Sequence, residues 1–170
     1  KLNGDFAFAI HDTQNERLFL ARDRLGVRPL FYTWHRGCFY FASEIKALLA
    51  VPGIEAQLDP LALDQIFTLW APIPPRTAFE GICELPPAHR MIVDNGAARI
   101  QRYWDLDFSD IHHDRSEDRM REETRALLED ATRIRLRADV QVGTYLSGGL
   151  DSSLIAALAK RMAPAGLSSF

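Results

Sequence analysis

Long apolar runs are missing from this sequence of 170 residues: the longest, Leu154 to Ala159, has six, and a transmembrane helix needs roughly 20. No membrane-spanning helix is therefore expected. Cysteine is scarce. Cys38 and Cys83 lie 45 positions apart without CxxC spacing, a pattern that suits a reducing cytoplasm, where lone thiols are most often small buried hydrophobes. No signal-peptide pattern opens the sequence. Neither sign of charge dominates: 20 basic and 23 acidic residues give a net charge of −3 and a pI near 6.0, which argues against a nucleic-acid surface. Methionine is also late to appear. The first residue is Lys1, the first methionine is Met91, and the end, Leu167-Ser168-Ser169-Phe170, is an apolar opening that leads nowhere. The sequence therefore reads as an internal piece of a longer protein.

What is present is the composition of a globular chain, 47% hydrophobic and 25% charged, of about one domain or slightly more. The first fifty residues are β-rich. Phe6, Phe8 and Ile10 alternate with Ala7 and Ala9, the period of a strand with large residues on one face. Further runs span Arg17 to Asp23, Pro29 to Trp34 and Cys38 to Ala42, with a turn at Leu25-Gly26-Val27-Arg28-Pro29 in which Gly26 is free to take positive φ. Four short strands with tight connections predict a mostly antiparallel sheet. Ser43 is a candidate N-cap for a helix from Glu44 to Ala50, and Asp59-Pro60 opens a second that carries Leu61, Leu63, Ile66 and Phe67. Ala71 to Pro87 holds five prolines and reads as an extended surface connection. Met91 to Asp94 and Ala97 to Tyr103 flank Asn95-Gly96, the strongest short hairpin signal.

Phe108 to Ser116 reads as a linker. Beyond it, Ser116 to Ala138 is a helix with Met120, Thr124, Leu127, Leu128, Ala131 and Ile134 along one face. Asp114 to Arg137 contains seven acidic and seven basic residues, with i,i+4 pairs such as Glu117–Arg121 and Glu129–Arg133, as a solvated face requires. Val140 to Leu146 is uncharged and reads as a strand buried in a parallel sheet. It leads into Ser147-Gly148-Gly149-Leu150-Asp151-Ser152-Ser153 and a helix with Leu154, Ile155, Leu158 and Met162 on one face. Strand, glycine turn and helix open a doubly wound α/β domain, of which only one unit is expected here.

Such a turn is an anion site for physical reasons. A helix N-terminus leaves N–H groups unpaired and carries partial positive charge. Gly148 and Gly149 allow close approach to the backbone, and Ser147, Ser152 and Ser153 add hydroxyl donors. Asp151 beside phosphates would repel them unless a cation lies between, so it implies Mg2+. Gly143 and Gly148 have the spacing of a Walker loop, but Gly149 stands where its lysine belongs.

The Ser-Gly-Gly-x-Asp-Ser pattern resembles the PP-loop of ATP pyrophosphatases. Upstream, Leu2-Asn3-Gly4-Asp5-Phe6-Ala7-Phe8-Ala9, Arg22 to Tyr32 and Ala42 to Leu49 are similar to the later part of a class II, N-terminal-nucleophile glutamine amidotransferase domain. Pro75-Arg76-Thr77 through Leu85-Pro86-Pro87, and Tyr103-Trp104, are similar to the connection that follows it, with Ala88 where the family usually has glycine. The order as a whole resembles glutamine-hydrolysing asparagine synthetases.

The resemblance implies a two-domain α+β and α/β fragment. Residues 1–107 would be the end of an αββα glutaminase domain, 108–115 a linker, and 116–170 the start of a doubly wound, adenine nucleotide α-hydrolase-like PP-loop domain. It implies glutamine, aspartate and ATP as substrates, and amidation of aspartate through a β-aspartyl adenylate with release of AMP and pyrophosphate. Leu146, Ser147, Gly148, Gly149, Asp151, Ser152 and Ser153 would contact the nucleotide, and Asp151 would hold Mg2+. The nucleophilic N-terminal cysteine would lie outside the sequence, with neither Cys38 nor Cys83 replacing it, and the piece alone would be inactive. A homodimer is compatible with this reading. So are an amidotransferase or β-lactam-forming enzyme acting on another carboxylate, and a non-catalytic nucleotide-binding relative.

Other residues have plainer readings. Arg22-Asp23 and Arg28 read as a turn ion pair rather than a glutamine-side site. His112-His113, beside Asp110 and Asp114, read as solvated linker rather than metal ligands. Leu146 closes its strand as a core residue, and the three tryptophans read as core or interface.

Overall fold

The computed structural model describes residues 2–109, 115–163 and 166–170. The chain divides into two compact units, Lys1–Asp107 and Phe108–Phe170. In the first, β1 (Ala7–Asp12) and β2 (Arg17–Arg22) form a hairpin in which Ala9 faces Leu20. Asp12 closes its turn by accepting from the N–H groups of Gln14 and Asn15, both at 3.1 Å. A second hairpin joins β6 (His89–Asp94) to β7 (Ala97–Arg102). Asn95 and Gly96 between them have φ of 48° and 74°, the paired positive values of a turn that matches strand twist.

The four N-terminal strands do not share a sheet. β2 takes β6 as its other neighbour, Leu20 facing Met91, which gives the antiparallel order β1-β2-β6-β7. β3 (Phe31–His35) instead pairs with β4 (Cys38–Ala42) and with β5 (Cys83–Glu84), in the order β4-β3-β5. The two sheets share one core, with Leu20 and Met91 from the first and Tyr32 from the second closing on Leu30 and Leu85. Burial, with Cys83 beside it, pushes the Tyr32 phenol up. Cys83 is half-buried, but Cys38 is exposed, because it opens β4 at the edge of its sheet.

The helices of this unit are short. α1 (Ile45–Leu49) has Glu44 at its N-cap without a side-chain cap bond, so Ser43 is not the cap. α2 (Pro60–Leu69) begins as its sequence requires: Asp59 accepts from the N–H groups of Leu61 and Ala62 at 3.0 and 3.1 Å, and Pro60 occupies the first turn. Its apolar side chains are largely exposed, and Ala62 alone is buried. Arg76 pairs with Asp59 at 2.5 Å and holds that carboxyl below its ordinary value. The proline-rich connection is not a surface strap. Thr77, Ile82 and Leu85 are buried, since β5 docks on β3 and the Thr77 hydroxyl donates to the Ile82 carbonyl at 2.8 Å.

The 22–28 turn is a second centre of order. Arg22, 5% exposed, donates to the carbonyls of Arg28, Leu85 and Gly26 at 2.7, 2.7 and 2.8 Å and pairs with Glu84 at 2.6 Å. Asp23, 2% exposed, accepts from the N–H groups of Leu25, Val27 and Arg28 at 3.2, 3.0 and 3.0 Å. Burial pushes its carboxyl up, but the N–H groups of Arg28, Val27 and Leu25 outweigh burial and hold it below its ordinary value. The structural reading of this motif holds, with one correction: Arg22 and Asp23 each bond the backbone rather than each other. Gly26 has φ of 68°, and a Cβ there would meet Pro87 Cγ at 2.8 Å.

In the second unit, α3 (Glu117–Arg135) starts at Ser116, whose hydroxyl accepts from the Arg119 N–H at 3.4 Å. Arg121 pairs with Glu117 at 3.0 Å. Arg133 pairs with Asp130 instead of Glu129, which turns to Arg125 and Arg161. Thr132 of α3 and Leu158 and Ala159 of α4 (Leu150–Met162) are buried, and Leu128, Ala131 and Thr132 line a cavity with Ile155 and Ala159, leaving Met120, Leu127 and Ile134 exposed. The strand β8 is two residues, Gly143–Thr144, paired in parallel with β9 (Ser168–Ser169). A β-α-β crossover is therefore present where a single strand is expected. Val140 and Tyr145 are exposed and Leu146 is 46% exposed, because a parallel strand is buried only when neighbours and helices cover it, and among the described residues β9 alone pairs with β8. No helix among the described residues is long and apolar enough to cross a membrane.

Candidate nucleotide-binding loop

The loop segment 147–153 follows β8 and includes the first turn of α4. Its entrance is fixed by β9: the Leu146 N–H donates to the Phe170 carbonyl at 2.8 Å, and the Phe170 N–H donates to Thr144 at 3.0 Å. Leu146 thus ends the strand as a backbone anchor, and its core-packing role is not realised. Leu167 to Phe170 reads from sequence only as an apolar opening, and the strand that Ser168–Ser169 forms there is seen first in the structure.

Gly148 turns the chain with φ of 84°, and a Cβ built there meets nothing within 4 Å. The backbone at this point is open to a ligand. Gly149 is the N-cap of α4 in extended conformation and supplies no side-chain cap. The first N–H groups of α4 are therefore unclaimed by any cap, which leaves a partial positive charge at the loop.

The serines behave differently from a ring of outward donors. The Ser153 hydroxyl donates to the Gly149 carbonyl at 2.7 Å, and that of Ser152 reaches the same carbonyl at 3.2 Å. Ser147 and Ser152 share a further bond of 2.9 Å between their hydroxyl oxygens. In this arrangement their protons stabilise the loop, and anion attraction falls to the backbone.

Asp151 lies exposed in the first turn of α4. No basic residue occurs between Arg137 and Lys160, so no side-chain cation is at hand in the sequence around it. Among the described residues no group of three or more His, Cys, Asp or Glu side chains forms a metal cluster. A single carboxylate does fit a hard divalent ion whose other ligands are phosphate oxygens and water. His112, His113, Asp110 and Asp114 lie outside the described residues.

The remaining singled-out residues fall elsewhere. Of the tryptophans, Trp34 meets Phe39 edge-on, Trp104 lies beneath Arg24 and Trp70 is 92% exposed, so none is a core residue.

Comparison with known proteins completes the picture. The glutamine amidotransferase domain matches residues 1–104, and asparagine synthase matches residues 123–170. Asparagine synthetase (glutamine-hydrolysing) 3 of Bacillus subtilis is 47% identical over 159 residues, 93% of this chain and 26% of that protein. Asparagine synthetase (glutamine-hydrolysing) 1 of the same organism is 33% identical over 96% of this chain and 26% of its own length. Amidase chry2 of Gibberella zeae is 39% identical over 97% of this chain and 24% of its own length. The chain thus spans about a quarter of the length of the curated relatives it matches. With one matched domain following the other in a single chain, it belongs to the glutamine amidotransferase family in its asparagine synthetase arrangement.

Proposed function

We propose that this chain is part of a cytoplasmic ligase that forms an amide on the β-carboxylate of aspartate, using ATP and the nitrogen of glutamine. The observation that carries the reading is the 147–153 loop: an open positive-φ glycine, an uncapped helix start and the exposed carboxylate of Asp151, which has no ion pair among the described residues, in the segment matched to asparagine synthase. The N–H groups at 148–152 would hold the pyrophosphate portion of ATP, with Leu146 at the rim and the hydroxyls of Ser147, Ser152 and Ser153 turning outward as it binds. Asp151 would hold Mg2+. Bound there, Mg2+ would neutralise charge on the departing pyrophosphate. Activation as an adenylate suits the chemistry, because a free carboxylate is a poor acyl donor.

The two-sheet core of residues 1–107 supports assignment to the inner layers of an αββα glutaminase, with 108–115 as linker and 116–170 as the beginning of the PP-loop domain. The free thiols of Cys38 and Cys83 suit the cytoplasm. A second reading, an enzyme of the same architecture acting on a group other than the aspartate carboxylate, is favoured by the 39% identity to a protein named an amidase.

The test uses the full-length enzyme with Mg-ATP, glutamine and aspartate, separating AMP from ADP and assaying asparagine. AMP and asparagine, both lost in Asp151→Ala, are the expected result. AMP formation that depends on an acceptor other than aspartate selects the second reading, and absence of any nucleotide turnover rejects both.

A further inference from the structure

The chain does not leave the glutaminase unit as a free tail. β7 ends at Arg102, and the next three residues are tied back one by one. The Tyr103 N–H donates to the Ala88 carbonyl at 2.9 Å, and Ala88 in turn donates to the Asp23 carbonyl at 2.9 Å. The Tyr103 hydroxyl donates to the Arg22 carbonyl at 2.5 Å. The Trp104 ring lies 5.4 Å from the Arg24 guanidinium, and Asp105 pairs with Arg102 at 2.7 Å.

Apart from the local Arg102–Asp105 pair, these contacts converge on one place. Arg22, Asp23 and Arg24 belong to the turn whose backbone is already over-determined by the buried Arg22 and Asp23 side chains. A terminal segment is ordered only when it is tied down, and here it is tied to a turn held by two buried side chains, Arg22 and Asp23. The hairpin β6–β7 does not require this, since its ladder is complete at Arg102. The ties remove residues 103 and 104 from the free part of the connection to the asparagine synthase segment, and the effective concentration of two tethered sites is set by the length and stiffness of what joins them.

We propose that Tyr103 and Trp104 are positioning residues that couple the two reactions: by rooting the connection on the 22–24 turn they keep glutamine hydrolysis in step with amide formation. The inference rests on the function proposed above. Neither residue touches a reacting group in this account. Loss of the phenol bond or of the cation–π contact shifts the rooted-to-released ratio by on the order of tenfold. Nitrogen then escapes as free ammonia instead of entering the amide.

The experiment compares full-length parent enzyme with Tyr103→Phe and, separately, Trp104→Leu. Glutamate and amide product are quantified in one reaction, alongside glutamine hydrolysis alone and amide formation from added ammonia. The expected result is a severalfold rise in glutamate per amide product in both variants, with each half-reaction alone near the parent rate. An unchanged ratio overturns the inference, as does a joint fall of both half-reactions at constant ratio, which marks a merely structural role. A parent enzyme that makes no amide from either nitrogen source defeats the proposed function and the inference together. A coupled parent with unmoved variants defeats the inference alone.

Discussion

Gly148 and Asp23 show how single residues carry opposite burdens. Gly148 is held at φ of 84° with empty space around it, so Gly148→Ala meets no clash and acts through backbone strain of about 1–2 kcal/mol. Isothermal titration with ATP should show binding weakened roughly tenfold, with the thermal midpoint nearly unmoved if the strained loop relaxes locally. Asp23 works through burial. Its carboxylate accepts three backbone N–H bonds, and Asp23→Asn replaces an acceptor with a donor facing donors. We expect a loss of about 3 kcal/mol in urea unfolding at pH 7. Because the folded carboxyl is held below its ordinary value, its contribution is full above the unfolded pKa of about 3.9. It fades as pH falls through the lower folded value. Parent and variant should therefore converge in stability under strongly acidic conditions, and a gap that stays constant from pH 7 to pH 2 would contradict the assignment.

Elements differ in how plainly the sequence announces them. Strands β1 to β4, the β6–β7 hairpin and the Asp59-Pro60 start of α2 were legible because each depends on neighbours a few residues away: alternation, Asn-Gly, a cap followed by proline. The partition of the strands into two sheets was not legible. It turns on the pairing of β2 with β6, Leu20 with Met91, which local spacing does not encode. The same holds for the proline-rich connection, whose apolar Ile82 and Leu85 looked like surface until β5 found β3. The residues of the 147–153 loop were legible as a glycine turn opening a helix, but the bonds of Ser152 and Ser153 to the Gly149 carbonyl were not, because they appear only in three dimensions. Two turns offer a test of local against tertiary demand. Gly96 and Gly26 have similar φ, 74° and 68°, yet only at Gly26 would a Cβ strike a neighbour, Pro87 at 2.8 Å. Gly96→Ala should cost about 1 kcal/mol and Gly26→Ala clearly more, as chemical denaturation of the two variants can show.

The whole molecule joins an antiparallel two-sheet unit to the opening of a parallel one. Order within it should be graded. β2 and β6 are interior strands and carry Leu20 and Met91, each 1% exposed. Their amides should exchange with deuterium only by global unfolding, while β8 and β9, a two-residue ladder, should exchange first. Equal protection across both units would refute this grading. The strand order β1-β2-β6-β7 also bears on how the protein is made. β2 waits on the ribosome for a partner about seventy residues further along, since Leu18 pairs with Val93 and Leu20 with Met91. At ribosomal speeds of about 5–20 residues per second that delay is on the order of 4 to 14 s. Through it the nascent β1–β2 hairpin presents an open edge and the apolar faces of Phe8 and Phe19 to solvent. That interval, rather than any weakness of the finished sheet, is when an unpaired β2 edge is open to wrong partners.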